Sequence, residues 1–221
     1  MLMNSYIYDF HEKIDLNRLL GPFLAAHEAI IRFDERLRRS HLREAFLNRL
    51  LFQEACAAQL AEGDLVHLEE LLLFDRHLSR GQPSMALSSA RQILRTWRQA
   101  GNANARDLLT STRPGEDARP IMDGDSDIDD DSHLVRPDAG ALAEWHRVRR
   151  ASERLPPLIA AAVVWDTWLT LNPEPMGAWR APLLAALTLR ARGTTTSLLL
   201  PIDSGRRFAR YRRHPNHVSA P

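Results

Sequence analysis

Apolar residues in this chain recur at three- and four-residue spacings and almost nowhere alternate, so the chain is predicted to be all-α. From Phe23 to Arg39, Leu24, Ala26, Ile30, Ile31, Phe33 and Leu37 form one expected inward face, with Gly21-Pro22 marking the start. From His41 to Ala61 the expected inward face is Leu42, Ala45, Phe46, Leu50, Ala57 and Leu60, closed by Gly63. Asp64 is read as the cap of a helix from Leu65 to His77 that buries Leu68, Leu71 and Leu72, with Leu78 just beyond it, and Ser84 as the cap of a helix burying Leu87, Ala90, Ile93, Leu94 and Trp97. Asp138 caps a further helix with Leu142, Trp145 and Val148 on its face. Leu155–Leu171 and Gly177–Arg192 follow, and Gly193 closes the last. Only Thr194–Ile202 has some β character, which Pro201 weakens.

Between Asn102 and Pro137 the composition changes to Arg113-Pro-Gly, Ala118-Arg-Pro and the acidic run Asp123 to Asp131, which reads as a long exposed or disordered connection. The chain then divides into an N-terminal helical half (1–101), an acidic linker (102–137), a C-terminal helical half (138–204) and an arginine-rich tail (205–221). With 29 basic against 28 acidic residues, global charge neither demands nor excludes a nucleic-acid partner. Lys13 is the one lysine, a bias that the codon usage of a GC-rich genome explains more simply than selection for phosphate binding. Cys56 has no internal partner, in keeping with a reducing cytoplasm, and its Glu54-Ala-Cys-Ala-Ala setting is that of a small packing residue. Met1 to Phe10 lacks the basic and apolar regions of a signal peptide. Leu155–Leu171 contains Pro156, Pro157 and Asp166 and is shorter than the ~20 residues of a spanning helix, so it reads as a buried helix and no membrane partner is expected.

Little else in the sequence carries chemistry. Read as a calcium loop, the acidic run places Ile128 or Asp130 where glycine is needed and Leu134 or Arg136 where glutamate is needed. The nine histidines form no HExxH or other matched pair, and no metal site or cofactor is expected. GxSxG, Walker A and GxGxxG patterns are absent, and Glu69, Glu70 and Asp75 read as a solvated helix face. The tail, Arg206-Arg-Phe-Ala-Arg-Tyr-Arg-Arg213, has two readings. Arg206, Arg207, Arg210, Arg212 and Arg213 would neutralise phosphates while Phe208 or Tyr211 stacks on bases, or the segment is an amphipathic terminal helix with its arginines in water.

The segment from Asn172 to Arg180 has the layout of a phosphate cradle. Gly177 would admit close backbone approach, Arg180 would supply a bidentate donor, and the following helix would offer its N-terminal amides. The simpler alternative is that Pro173, Pro175 and Gly177 only turn the chain between two core helices.

This segment resembles a degraded Fic active-site motif, H-P-F-x-D/E-G-N-G-R-x-x-R. Pro173, Gly177 and Arg180 fall on its proline, first glycine and first arginine. Asn172 stands at the catalytic histidine, Glu174 at the phenylalanine, Met176 at the metal-binding acid, Ala178 and Trp179 at Asn-Gly, and Leu183 at the last arginine. Asparagine is no general base and methionine holds no hard cation, so nucleotidyl transfer by that route is not expected, and no residue is assigned a catalytic role. Ala58-Gln-Leu-Ala-Glu62-Gly63 similarly resembles the Fic inhibitory-helix pattern, with alanine at its hydroxyl position. More of the chain resembles a bacterial family of uncharacterised Fic-like helical proteins. The matching stretches are His41 to Phe46, Glu62 to Leu71, Leu155 to Ala162 and Leu184 to Gly193.

That resemblance implies an all-α, Fic-like helical bundle with a long acidic loop. It also implies a non-catalytic domain of a DNA-binding regulatory protein, since longer relatives add a C-terminal helix-turn-helix domain. This chain ends before such a module, and Asn216 to Pro221 reads as a truncated terminus. Two alternatives stand beside this: a transfer-inactive nucleotide switch holding phosphate at Gly177 and Arg180, and an antitoxin-like module that binds a protein partner. The oligomeric state is left open.

Overall fold

The computed structural model describes residues 16–79, 81–111, 114, 137–175 and 177–206. The acidic run, Met176 and the tail positions Arg207, Arg210, Arg212 and Arg213 lie outside the described residues. In chain order the helices are α1 (Leu16–Arg38), α2 (Arg43–Glu62), α3 (Leu68–Asp75), α4 (Met85–Asn102), α5 (Ala105–Thr110), α6 (Ala139–Ser152), α7 (Pro157–Leu171), α8 (Arg180–Ala191) and α9 (Ile202–Arg206). Among the described residues there is no strand, so the chain is all-α.

Helix α8 is the axis of the fold. Every residue from Arg180 to Leu189 is buried, as expected of a helix that is apolar all round and enclosed by neighbours. Helices α5, α7 and α9 pack on it, and α6 packs on α7. On the N-terminal side α2 packs on α4, and α3 lies against both. One core joins the two halves, running from Phe52, Ala55, Ile93, Leu94 and Trp97 to Trp145, Trp168, Leu183 and Leu187. At its centre Trp145 and Trp168 meet edge to face at 5.3 Å. Each fully buried indole donates its N–H to a carbonyl, Trp145 to Val164 (3.1 Å) and Trp168 to Gly177 (2.9 Å), which removes the cost of burying a polar group.

Several local expectations hold. The Ser84 hydroxyl accepts from the Leu87 amide (3.1 Å), and Asp138 Oδ1 accepts from the Ala141 amide (2.8 Å). Gly63 ends α2 in the left-handed region at φ 103°, a conformation that costs glycine little. The α4 face is buried as expected. No described helix is long and apolar enough to cross a membrane.

Other expectations are corrected. Helix α1 begins at Leu16 and carries Pro22 within it rather than starting after Gly21-Pro22. Its expected inward face is largely exposed: Leu24 is 55% and Ile31 43% accessible, and only Leu37 is fully buried. In α2 most of the expected inward face points outward: Leu60, and Leu42 just before the helix, are each 60% exposed and Ala45 and Phe46 are exposed, while Leu50 and Ala57 are half-buried and Phe52, Glu54, Ala55, Ala58 and Gln59 face the core. Helix α2 is apolar on both sides, so periodicity identifies the helix but not the side that is covered. Asp64 caps nothing, because α3 starts only at Leu68, with no side-chain cap at His67. The segment assigned to the linker opens with α5, whose buried Leu108 and Leu109 pack on α8, so the helical body continues to Thr110.

The Thr194–Pro201 segment forms no strand, yet the amides of Thr194, Thr196 and Ser197 find acceptors, the first in the Leu189 carbonyl (2.9 Å). Asp34 at the end of α1 accepts from the amides of Thr196 (2.9 Å) and Ser197 (2.8 Å) and from the Thr196 hydroxyl (2.9 Å). Arg43 donates to the Ser197 carbonyl at 3.2 Å. Side chains of the N-terminal helices therefore replace the sheet partner that an extended segment would otherwise need.

Candidate functional site

The Asn172 to Trp179 loop joins α7 to α8. Asn172 ends α7 in the left-handed region (φ 43°), which its short amide side chain tolerates, and donates its backbone N–H to the Trp168 carbonyl. The buried Pro173 offers its carbonyl to the Asp138 amide at 2.7 Å, which ties the loop to the start of α6. The chain then folds back on itself. The Gly177 amide donates to the Glu174 carbonyl (2.9 Å), and the Gly177 carbonyl accepts from the Trp168 indole and from the Arg180 amide (3.0 Å). A Cβ at Gly177 would stand 2.9 Å from the Glu174 carbonyl oxygen and 3.0 Å from its Cβ, so glycine is required by this turn.

Arg180, the first residue of α8, is 2% exposed. Its Nε lies 2.6 Å from Glu174 Oε2, an Nη lies 3.4 Å from Glu174 Oε1, and its guanidinium lies 4.5 Å from the centre of the Trp179 ring. The two residues expected to cradle a phosphate are thus one turn apart, as their spacing requires. The arginine is already paired with a carboxylate of the same loop, and the glycine amide is engaged in the turn.

A second carboxylate reaches the loop from α2. Glu54, Ala58 and Glu62 stand at i, i+4 and i+8 on that helix and therefore share a face. Glu62, on the last turn of that helix, lies near the Trp179 amide at the start of α8. Partial burial raises its pKa, the Trp179 amide opposes that, and the charges of Asp64 and Asp203 add to the rise. Two turns earlier Glu54, fully buried, accepts from the amides of Asp203 and Ser204 (2.8 Å each) and so holds α9 in place. Burial pushes the Glu54 carboxyl up to about 7 against the pull of those two amides, and the neighbouring Asp203 charge adds to the rise. The Asp203 carboxyl is also raised by burial, which its bond from Arg206 (3.1 Å) opposes. One face of α2 thus places acids on the starts of α8 and α9, where the amides and the helix dipole favour negative charge.

Arg206 is the one tail arginine among the described residues. It pairs with Asp203 and lies 5.8 Å from the centre of the Trp165 ring. Cys56 is half-buried and its thiol is pushed up to about 11 by burial, the behaviour of a packing residue. Sequence reasoning missed Glu54 and Asp203 as a pair. The available signal was an acid set in the alanine-rich stretch Glu54 to Ala58, where a solvated charge has no place.

Comparison with known proteins adds similarities and no activity. Residues 136–220 match the profile of a family described as "Protein of unknown function (DUF1612)". The chain is also similar to an uncharacterized protein, y4cF, of Sinorhizobium fredii, with 28% identity over 253 aligned positions that cover 83% of this chain and 66% of that protein. The chain therefore spans just under two thirds of that relative's length. No solved structure matches it.

Proposed function

We infer that this chain is a non-catalytic helical module of a regulatory protein, and that it acts by binding other macromolecules rather than by group transfer. The observation that carries this reading is the asymmetry of its surface. Of the 14 large hydrophobic side chains left exposed among the described residues, 13 lie between Leu19 and Met85, and Leu169 is the exception. Exposed apolar residues concentrated in this way mark an interaction surface. The closed loop supports the same reading, because Arg180 is committed to Glu174 and Asn172 offers no base. The Fic resemblance belongs to this reading too, on the placement of Pro173, Gly177 and Arg180 around the α7–α8 junction.

DNA is the second class of partner, reached through Arg206, Arg207, Arg210, Arg212 and Arg213. The composition of the tail favours this, since Phe208 and Tyr211 are interleaved with those arginines. A longer protein of this kind would add its own DNA reader.

The surface reading is tested by Leu68→Asp/Leu72→Asp, at two α3 positions each 39% exposed. The variant is expected to keep the helical circular dichroism of the wild type and to lose at least tenfold in recovery of protein partners from its own cells. Unchanged recovery, or collapse of the fold, would remove α3 from any interaction surface.

A further inference from the structure

We propose that the free length of α1 is a self-association helix, pairing antiparallel with α1 of a second copy of this chain. The proposal rests on the interaction-module reading and names the partner for one part of that surface.

Helix α1 is fastened only near its C-terminal end. There Asp34 holds the Thr196 and Ser197 amides, Leu37 is buried, and the Phe33 ring meets Phe46 at 6.0 Å. Among the described residues no other helix packs extensively on α1. The same face continues toward the N-terminus, because Leu20, Phe23, His27, Ile30 and Asp34 follow the helical repeat. Leu20 on that line and Leu19, Leu24 and Ile31 flanking it are 55%, 42%, 55% and 43% exposed. The stripe thus extends about 20 Å beyond the body.

Charge and area both favour a second copy. Between Leu19 and Ile31 the one acidic or basic side chain apart from His27 is Glu28, and it is paired with Arg32 at 2.7 Å. The stripe therefore has nothing to attract a nucleic acid or a strongly charged protein, and nothing to repel its own copy. Four half-exposed aliphatic side chains leave roughly 400 Å² of apolar surface per copy, the size of a functional patch. Two such stripes with their polar flanks reach the roughly 1,000 Å² expected of a specific interface. The body at the C-terminal end of α1 sets the direction. Parallel pairing would press two bodies together at one end, whereas antiparallel pairing crossing near Phe23 and Leu24 puts them at opposite ends.

Sedimentation equilibrium of the full chain tests this. The wild type is expected to run at twice its 25.1 kDa with micromolar dissociation. Leu20→Glu/Leu24→Glu should weaken the dimer at least tenfold with unchanged circular dichroism, and Leu20→Ser/Leu24→Ser replaces it if the charges disturb the helix. Leu24→Cys in a Cys56→Ser background should cross-link to a dimer with a short bis-maleimide. A wild type that is monomeric at 100 µM, or a dimer indifferent to both double variants, overturns the proposal. If the wild type is monomeric but the double variants abolish recovery of another protein, self-association is wrong and the interaction-module reading stands. If recovery is also untouched, α1 has no part in either.

Discussion

Glu174→Ala is expected to destabilise the chain by about 3–5 kcal/mol, a fall of about 10 °C in Tm for a chain of this size. The reason is burial. The Arg180 guanidinium is 2% exposed and ion-pairs with Glu174, so removing the acid takes the counter-ion of the same loop away from a buried cation. Arg180→Ala should cost less, because the Glu174 side chain is 15% exposed and its carboxylate can regain solvent. Replacing both, as Glu174→Ala/Arg180→Leu, should recover most of the loss, since an apolar pair leaves no buried charge. Thermal or urea unfolding of the three variants checks the order. If Glu174→Ala costs less than 1 kcal/mol, the ion pair does not hold the loop.

The second large effect concerns pH. The Glu54 carboxyl is raised from 4.5 to about 7 in the folded chain, chiefly by burial. Between those values the folded state holds more protons than the unfolded chain, so this group's contribution to stability is complete below about 4.5, falls as pH rises to about 7, and is level above. The fall amounts to about 3 kcal/mol at ~1.4 kcal/mol per pH unit. Glu54→Gln removes the titration but keeps one acceptor for the two amides, setting an NH2 donor against the other. It should therefore be less stable than the wild type at pH 5, by about 1–3 kcal/mol, and the gap should close or reverse by pH 8. Asp203 and Glu62, also raised, slope in the same direction, and because the Asp203 charge acts on Glu54, the difference between the two profiles reports Glu54 together with its coupling to Asp203. Parallel profiles from pH 4.5 to 8 would show that Glu54 does not titrate there.

Both effects involve residues whose importance was only partly legible in the sequence. The helices were legible where a local signal decides them. Ser84 and Asp138 cap as short polar side chains should, Gly63 takes the left-handed turn, and the α4 stripe has one apolar side, which is the buried one. In α1 and α2 the apolar residues surround more than one side, and a pattern cannot say which side finds a partner. The small Ala55 and Ala58, which face the core, settle this for α2, while Leu42 and Phe46 stay outside.

The loop was located correctly as a junction where a glycine and an arginine meet at a helix start. Its internal partner was hidden in plain view, because Glu174 reads as a departure from a motif until the chain is folded back on itself. Asp34 and Glu54 were less accessible still. The amides they hold lie 149 to 163 residues away, and no local pattern announces a contact of that range.

The central claim is that the Asn172–Arg180 loop is closed by its own Glu174 carboxylate and serves the fold rather than a nucleotide. Isothermal titration of the full chain with ATP, GTP and inorganic phosphate, each with and without magnesium, tests it most directly. The closed loop predicts no saturable heat from any of them, in the wild type or in Arg180→Ala. Saturable binding by the wild type that Arg180→Ala abolishes would contradict it, and would show that a phosphate displaces Glu174 from the arginine.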